Sequence, residues 1–570
     1  MIAEKIKELV QKALREVQGQ GSKEYQGRTL SVELEHPAEL SHGDYSTNVA
    51  LVLAKQLKEK PRDLAESIRL ALQKELAQDE IGISKIEIAG SGFINFYLSP
   101  KFFGESVAEI LRQAQDYGKN DIFAGRKVMV EYTDPNPFKE FHIGHLMSNA
   151  IGESIARLFE YSGAKTLRAC WQGDVGLHVA KAVWGKFQKL DAGWGEAYAY
   201  GSKNYDEHKA EIDELNKKIF DQSDVKINKI YDEGRKWSLN HFEQIYKKLG
   251  TKFDYYFFEG KEGREGEKIV AEFLKKGVFE KSDGAVVFRG ERHGLHTRVF
   301  ITSQGLPTYE AKELGLNKAK FQKEPKLDRS IIITANEQSD YFKVVLKAME
   351  EVMPEIAKKT KHIAHGMMRF ASGKMSSRTG NVITGESLIT AVENLVKEKI
   401  KERELPLDEK QNITAAVAVG AIKYSILRAA TGSDIIYDFE KSISFEGDSG
   451  PYLEYTYARA RSVLNKQHNN CAGQTCEATQ VRPAQEVSTS TVERLLYRFP
   501  EIVERAAKEF EPHYIATYLI ELASAFNAFY AKNKIIGSDE EKYRLALTEA
   551  TSLVLKNGLC LLGIQAPEKM

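Results

Sequence analysis

"RKVMVEYTDPNPFKEFHIGHLMSNAIGESIARLFEYSGAKTLRACWQGD", residues 126–174, holds the pattern that decides the fold. The apolar run at 128–130 predicts a buried strand, and residues 145–161 have the apolar spacing of a helix that Gly163 ends. Residues 165–172 predict a second strand. Two strands joined by one helix form a parallel pair, so the stretch predicts the beginning of a doubly wound, Rossmann-type α/β sheet.

The remainder of the chain predicts further domains around this sheet. Residues 2–17 have the spacing of an amphipathic helix, and the strand-like runs after it complete an α+β domain. The predicted segments are an N-terminal α+β domain (1–115), the parallel-sheet domain (116–385) with a mostly helical insertion at about 183–290, a helical connector (386–447) and an all-α C-terminal domain (448–570).

Composition excludes several classes of protein. Lys and Arg together number 81, as do Asp and Glu, so a polyanion must be met by a local patch rather than by net charge. No run approaches 18 apolar residues, which argues against a membrane-spanning helix. Four cysteines in 570 residues indicate a reducing compartment, so we expect a cytoplasmic protein. Cys471 and Cys476 have no second ligand pair at zinc spacing, and no metal site is predicted.

Two histidines, His142 and His145, lie where the first strand passes into the helix. Ligands of parallel sheets bind outside the carboxyl ends of the strands, where helix N-termini offer free N–H groups to phosphate. Gly144 would let a nucleotide approach closely, and the two rings could donate to charge on a phosphate. Two alternatives remain at this point: the rings merely cap the helix, or they bind a metal with a third ligand that the sequence does not reveal.

A second motif favours the nucleotide. "GKMSSRTGN", residues 373–381, is bounded by glycines and carries Lys374 and Arg378. An ammonium and a guanidinium on such a loop would suit a mobile clamp on a triphosphate.

The two motifs together resemble the HIGH and KMSK motifs of class I aminoacyl-tRNA synthetases, and within that class the chain is similar to the arginyl-tRNA synthetase family. Glu131 and Asn136 match the family's E-x4-N arrangement before HIGH, and residues 173–176 match its G-D-x-G turn. Thr308, Tyr309 and Glu313 match its T-Y-x-x-[RK]-[DE] segment, although many members have Asp at the last position. Residues 43–55 and 450–464 are similar to its outer domains.

The resemblance implies an ATP-dependent, AMP-forming enzyme that makes arginyl-adenylate and transfers arginine to the 3′-terminal adenosine of tRNA-Arg. It implies ATP and Mg²⁺ as cofactors, L-arginine and tRNA-Arg as partners, no DNA or membrane partner, and a monomer. It also implies roles for individual residues: catalysis by His142, His145, Lys374 and Arg378; ATP binding by His142, Gly144, His145, Gly366, Met367, Lys374 and Ser376; and arginine binding by Glu131, Asn136, Tyr309, Glu313 and Gln338.

RNA contacts are expected in the outer domains, because single-stranded bases are recognised by stacking and by contacts to base edges. The candidates are Phe93, Asn95 and Tyr97 on one side of an N-terminal strand, and Tyr455 and Arg461 in the C-terminal domain. Plain packing is the alternative for each of them. The alternative for the whole chain is another class I aminoacyl-tRNA synthetase or a nucleotidyltransferase of the H-x-G-H type.

Overall fold

The computed structural model describes residues 2–19, 32–76, 82–189, 191–371, 384–470 and 490–570. The chain divides into two compact units. The first contains Met1–Gly118, Arg459–Glu501 and Glu521–Leu555, and the second contains Lys119–Ala458, Ile502–Ile520 and Lys556–Met570.

The N-terminal part of the first unit is a three-stranded antiparallel sheet with helices, as the α+β prediction expected. Its elements are α1 (Ile2–Gly19), β1 (Tyr45–Thr47), α2 (Val49–Leu57), α3 (Pro61–Leu76), β2 (Ile83–Ala89), β3 (Phe93–Leu98) and α4 (Pro100–Gln113). The apolar face of α1 is buried in the core, which also contains Tyr497 from the far end of the chain. The N-terminal region and part of the C-terminal helices therefore share one compact unit, whereas the sequence analysis treated them as separate domains.

The second unit is built on a five-stranded parallel sheet with the order β11-β10-β4-β5-β6. Its strands are β4 (Lys127–Glu131), β5 (Lys165–Gln172), β6 (Tyr255–Phe258), β10 (Arg329–Ala335) and β11 (Thr360–His365). Chain order reverses between β4 and β10, so the crevice outside their carboxyl ends is the switch point of a doubly wound sheet. In the register there, Glu131 faces Ala169 of β5 and Ile332 of β10. This confirms the predicted fold class.

Helices and two small sheets surround this sheet. The helices are α5 (Ile143–Tyr161), α6 (Leu177–Gln188), α7 (Trp194–Lys203), α8 (Lys209–Asp221), α9 (Val225–Leu249), α10 (Glu259–Lys275), α11 (Tyr309–Lys323), α12 (Ser339–Val352), α13 (Pro354–Lys359), α14 (Gly385–Lys399), α15 (Leu407–Leu427) and α16 (Phe439–Ser442). The remaining strands are β7 (Glu280–Ser282), β8 (Ala285–Phe288), β9 (Arg298–Ile301), β12 (Met368–Phe370) and β13 (Ile435–Tyr437).

From residue 448 onward, the part of the chain that the structure describes is helical, without strands. These helices are α17 (Gly450–Asn470), α18 (Thr491–Leu496), α19 (Phe499–Glu509), α20 (His513–Lys532) and α21 (Glu541–Leu561).

The predicted insertion at 183–290 needs correction. Tyr255–Phe258 lies inside that range, yet it pairs in parallel with β5 and is an edge strand of the main sheet. The helical insertion therefore ends before residue 255. The strand-like run near residue 300, by contrast, belongs to a separate antiparallel sheet of β7, β8 and β9. The run "YYFF" is too short for its sequence to distinguish a sheet strand from a piece of an insertion.

Candidate active site at the switch point of the sheet

The N-terminus of α5 is formed by the two histidines themselves. His142 is the N-cap, and its Nδ1 accepts a hydrogen bond from the backbone N–H of His145 at 3.4 Å. In return, the backbone N–H of His142 donates to His145 Nδ1 at 3.2 Å. The rings stack with their centroids 3.4 Å apart. A side chain at Gly144 would lie 3.0 Å from the His142 ring, so the glycine leaves room for this arrangement.

The local environment keeps both imidazoles neutral. Burial lowers the pKa of His142, with a smaller contribution from the charge of Lys139. The pKa of His145 is lowered well below its usual range by burial, by His142 and by Lys139. Because each Nδ1 accepts a backbone N–H, the ring proton lies on Nε2. The helix start therefore offers two neutral N–H donors as well as its free backbone N–H groups and positive dipole. Capping and donation are thus compatible, although the sequence analysis posed them as alternatives.

The loop between β4 and α5 is strained and firmly held. Thr133, Asp134 and Phe138 have positive φ angles of 79°, 47° and 69°, which non-glycine residues rarely adopt. The backbone N–H of Thr133 donates to Ser148 Oγ at 3.0 Å, and that of Phe138 donates to Ser238 Oγ at 2.9 Å. Strain of this kind persists where surrounding contacts over-determine it, and it concentrates at functional sites.

The second motif is connected to the first through its C-terminal flank. His142 forms an isolated antiparallel bridge with Thr384, and the N–H of Gly385 donates to the carbonyl of Phe141 at 2.7 Å. Residue 384, which immediately follows the segment 372–383, therefore lies beside the histidine pair. Three predicted site residues, Lys374, Ser376 and Arg378, lie outside the described residues, as do Cys471 and Cys476.

A group of buried charges lies at the carboxyl end of β4. Glu131 ends the strand, and its Oε2 is 2.6 Å from Lys320 Nζ on α11, with side chains only 1% and 0% exposed. Glu313, also on α11, is buried, and burial together with the charge of Glu131 raises its pKa to about 8. Burial and Glu131 likewise raise the pKa of Asp134 well above its usual range. Acids outnumber bases in this group, which favours a cationic ligand.

A neighbouring pair of charges extends this surface. Glu259, the first residue of α10, is buried, and its Oε2 accepts from Lys312 Nζ at 2.7 Å. A Cβ built on Gly173 would lie 2.2 Å from Asn136 Oδ1 and 3.2 Å from Glu259 Oε1. Gly173 thus lets the side chains of Asn136 and Glu259 converge on one point of the β5 end. The structure brings Glu131, Asn136 and Glu313 to the same end of the sheet, and their role in binding arginine stays a prediction.

The other predicted ligands occupy the rim of this region. Tyr309 is the first residue of α11 and is 53% exposed, while Gln338 ends a short 3₁₀ turn after β10 and is also exposed. Gly366 and Met367 lie between β11 and β12, and their N–H groups already donate to Thr431 O and Asp434 Oδ1. Any contact of these two residues with a nucleotide would therefore be made by packing rather than by their N–H groups.

The predicted RNA-binding residues differ in accessibility. Phe93 and Tyr97 are partly exposed, but Asn95 is only 4% exposed and accepts from Ser46 Oγ at 2.7 Å. Asn95 is therefore a structural residue of the first unit, and its placement on an accessible face needs correction. β3 is the central strand of its sheet, so one face of it cannot be assumed to meet solvent.

The two C-terminal candidates for RNA binding, Tyr455 and Arg461, belong to different units. In the second unit, Tyr455 is partly exposed and packs edge-on against Phe445, with their centroids 6.0 Å apart. Arg461 belongs to the first unit and is also partly exposed.

Sequence reasoning missed two residues of the charged groups. Glu259 was missed because the strand before it was assigned to the insertion; once β6 is recognised, Glu259 follows the carboxyl end of a parallel strand. Lys320 was not singled out, although it follows Glu313 by two helical turns and so lies on the same face of α11. That spacing is the signal that could have found it.

Within the described ranges there is no group of three or more His, Cys, Asp or Glu residues that could hold a metal ion. No helix among the described residues has both the length and the apolar character needed to cross a membrane.

Comparison with known proteins identifies the class. The family model described as "tRNA synthetases class I (R), catalytic domain" matches residues 106–439. "Arginyl tRNA synthetase N terminal domain" matches residues 4–98, and "DALR anticodon binding domain" matches residues 453–570. The first match spans more than half of the chain, which therefore belongs to the class I aminoacyl-tRNA synthetases.

Relatives narrow the assignment within the class. A curated arginine–tRNA ligase of Fusobacterium nucleatum is 33% identical over 562 residues and covers 95% of each chain. One of Clostridium acetobutylicum is 31% identical over 556 residues, covering 94% of this chain and 96% of its own. The chain thus belongs to the arginyl-tRNA synthetase family, as predicted, and the nucleotidyltransferase alternative is not favoured.

Solved structures support the same fold. The chain resembles Thermus thermophilus arginyl-tRNA synthetase with a TM-score of 0.80 at 23% identity, each chain being covered completely. It resembles the Plasmodium falciparum arginyl-tRNA synthetase with a TM-score of 0.77 at 20% identity, over 100% of this chain and 99% of that one.

Proposed function

We propose how the residues of this chain carry out the reaction of its family. As a member of that family, the chain is an arginine–tRNA ligase, an ATP-dependent and AMP-forming enzyme. In the first step the arginine carboxylate attacks the α-phosphate of ATP, and pyrophosphate leaves. In the second step the terminal adenosine of tRNA-Arg takes arginine from the adenylate, and AMP leaves. Neither step needs a covalent enzyme intermediate, so positioning and electrostatics supply the catalysis.

His142 and His145 bind the α-phosphate region as the transition state forms. Two neutral Nε2–H groups at a helix N-terminus can donate to phosphate oxygens as negative charge develops on them. Neither ring has to change its protonation state first. Lys374 and Arg378 neutralise the departing pyrophosphate. The contact of Thr384 with His142 supports this role, because Thr384 is the first described residue after residues 372–383. ATP enters with Mg²⁺ held mainly by phosphate oxygens and water.

Glu131 and Glu313 bind the guanidinium of the substrate, and Asn136 binds its amino-acid head. The observation that carries this proposal is the position of the buried acids at the switch point: Glu131 ends the strand that leads into the histidine pair, and Glu313 lies near it on α11. A guanidinium presents five donors in a plane, which suits carboxylates fixed in a buried pocket. Tyr309 and Gln338 at the rim close over the bound amino acid.

We further propose the division of labour among the domains. Residues 116–385 activate arginine, residues 448–570 read the anticodon through residues such as Tyr455 and Arg461, and residues 1–115 contact tRNA through Phe93 and Tyr97. Residues 386–447 connect the catalytic and anticodon-binding segments. The enzyme acts as a cytoplasmic monomer without a DNA partner. Light scattering on the purified chain, with and without tRNA, measures its oligomeric state.

The decisive experiment is ATP–pyrophosphate exchange with each of the twenty amino acids, with and without tRNA. We expect exchange with arginine alone, and the family resemblance implies that it requires tRNA. Exchange with another amino acid, and none with arginine, would contradict the proposal.

A matched pair of variants tests the arginine pocket. Glu131→Gln should raise the KM for arginine by roughly a hundredfold or more, because a buried charged partner is lost. Glu265→Gln, which alters an acid on the outer side of α10, should leave this KM unchanged.

A further inference from the structure

Lys320 is a buried cation without a role in the reaction proposed above. It lies on α11 two turns after Glu313, and its ammonium is 2.6 Å from Glu131 Oε2. Neither side chain reaches solvent. A buried lysine is costly unless an anion accompanies it, and the anion here is the carboxylate proposed to receive the substrate.

The charges around this pair do not balance. Glu131, Asp134 and Glu313 approach one another closely enough for their charges to interact, and Lys320 is the cation that acts on both Asp134 and Glu313. Asp134 accepts the backbone N–H of Trp171 at 2.7 Å. Fully ionised, these three acids and one base would carry a net charge of −2 in a largely buried group.

Glu313 has little in its surroundings to stabilise its ionised form. Its Oε2 receives one long contact from Asn317 Nδ2, at 3.4 Å. Among the described residues, Glu131, Glu259 and Glu310 raise its pKa by their like charge, and Lys320 lowers it. Burial and the neighbouring acids raise its pKa to about 8, so in the absence of a ligand it carries a proton at neutral pH.

From this arrangement we propose that Lys320 is a positioning residue for the arginine site: it pairs with Glu131 and holds that side chain in place in the arginine-free enzyme, while Glu313 holds a proton that leaves to solvent when the guanidinium enters. The inference rests on the proposed function, because it assumes that these acids bind arginine. The incoming cation supplies the charge that the cluster lacks, so the Glu313 proton is replaced and charge is conserved. The guanidinium itself stays protonated throughout.

The proton on Glu313 sets the direction in which the KM for arginine changes with pH. Below pH 8, arginine has to displace a proton from Glu313, so its KM should rise by about tenfold for each unit of falling pH. Above pH 8, Glu313 is already ionised and the KM should level off. The turnover number at saturating arginine should not share this slope, because the proton has left before the chemical step.

The first test uses the wild-type enzyme. Arginine binding is measured by titration calorimetry at pH 7 in two buffers with different ionisation enthalpies, which reports the number of protons released. We expect the release of about one proton at pH 7 and almost none at pH 9. Glu313→Gln should abolish the release. Arginine binding without proton release at pH 7 would overturn the inference and leave the proposed function intact, whereas a failure to bind or charge arginine at all would overturn both.

The second test separates positioning from mere structure. In Lys320→Met, Glu313 loses the cation that lowers its pKa, so the plateau of log KM against pH should move above pH 8. Lys320→Arg should restore the wild-type position of the plateau. Lys318→Met, the matched control on the same helix, removes an ion pair with Glu265 at the surface and should not move the plateau. If Lys320→Met raised the KM for arginine equally at every pH, Lys320 would have a purely structural role and the proposal would be contradicted.

Discussion

At the scale of the residue, the histidine pair shows how one side chain serves both fold and chemistry. His142 and His145 each use Nδ1 to satisfy a backbone N–H at the start of α5, which leaves Nε2–H for a ligand. A serine or aspartate could cap the helix equally well, but neither would present a neutral N–H donor. The sequence identified both residues; their neutrality and stacking depend on burial in the folded protein.

His145→Gln tests this dual role. Glutamine at the third helical position can still accept the N-cap N–H, so the helix start should be preserved while the imidazole donor is lost. We expect the turnover number for aminoacylation to fall by roughly a hundredfold, with little change in the KM for arginine. Steady-state kinetics measure the turnover number and the KM separately, and circular dichroism checks the fold.

The pH profile and a control variant complete this test. Because burial lowers the pKa of both rings, their protonation should not reduce turnover until the pH falls below 6.5. His208→Asn, which changes the partly exposed N-cap residue of α8, should leave both kinetic constants unchanged. A loss confined to the KM for arginine in His145→Gln would contradict the role at the phosphate.

At the scale of the element, the packing of α5 against β4 requires that residue 152 have no side chain. A Cβ on Gly152 would lie 2.2 Å from the ring of Tyr132, the residue that follows β4. The glycine lets the helix that carries the histidines pack closely against the strand that carries Glu131. This contact, together with the hydrogen bond from the Thr133 N–H to Ser148 Oγ, fixes the distance between the helix and the strand.

Gly152→Ala should destabilise the enzyme by about 1–3 kcal/mol through overpacking and should reduce activity by displacing α5. The matched control is Gly195→Ala in α7, where a Cβ would meet nothing within 4 Å. There, alanine should stabilise the chain by up to about 1 kcal/mol through helix propensity. Thermal unfolding of both variants measures the difference; equal midpoints would refute the packing argument.

At the scale of the whole molecule, charges far apart in the chain hold the first unit together. Asp44 is completely buried; its Oδ1 pairs with Arg494, 450 positions later, and its Oδ2 accepts the N–H of Leu98 at 2.8 Å. Tyr497 joins the same hydrophobic core. A segment predicted to read the anticodon thereby completes the core of the N-terminal region.

Arg494→Met should destabilise this unit by about 3–5 kcal/mol, because it leaves a buried carboxylate without its cation. Asp44→Asn combined with Arg494→Met should recover part of the loss, since the amide still accepts from Leu98 without a buried charge. Limited proteolysis of the N-terminal region and thermal unfolding report the effect. A double variant no more stable than Arg494→Met would contradict the ion-pair explanation.

The sequence by itself determined the class of fold and the family, and it supplied most of the residues of the candidate site as predictions. Periodicity over residues 126–174 and two motifs sufficed, because hydrophobic spacing and short chemical motifs are local properties of a chain. Glu131, Asn136 and Glu313 were identified from motifs, and the structure places them together at one end of the sheet.

Only the tertiary structure decided the rest. It assigned β6 to the parallel sheet, brought Glu259 and Lys320 to the acids, buried Asn95, and joined the N-terminal region with Arg459–Glu501 and Glu521–Leu555 in one unit. Each of these depends on contacts between residues distant in sequence, which set burial, charge and strand pairing but leave no periodic signal. The physical reason is that burial changes the cost of a charge, and burial is decided by the fold as a whole.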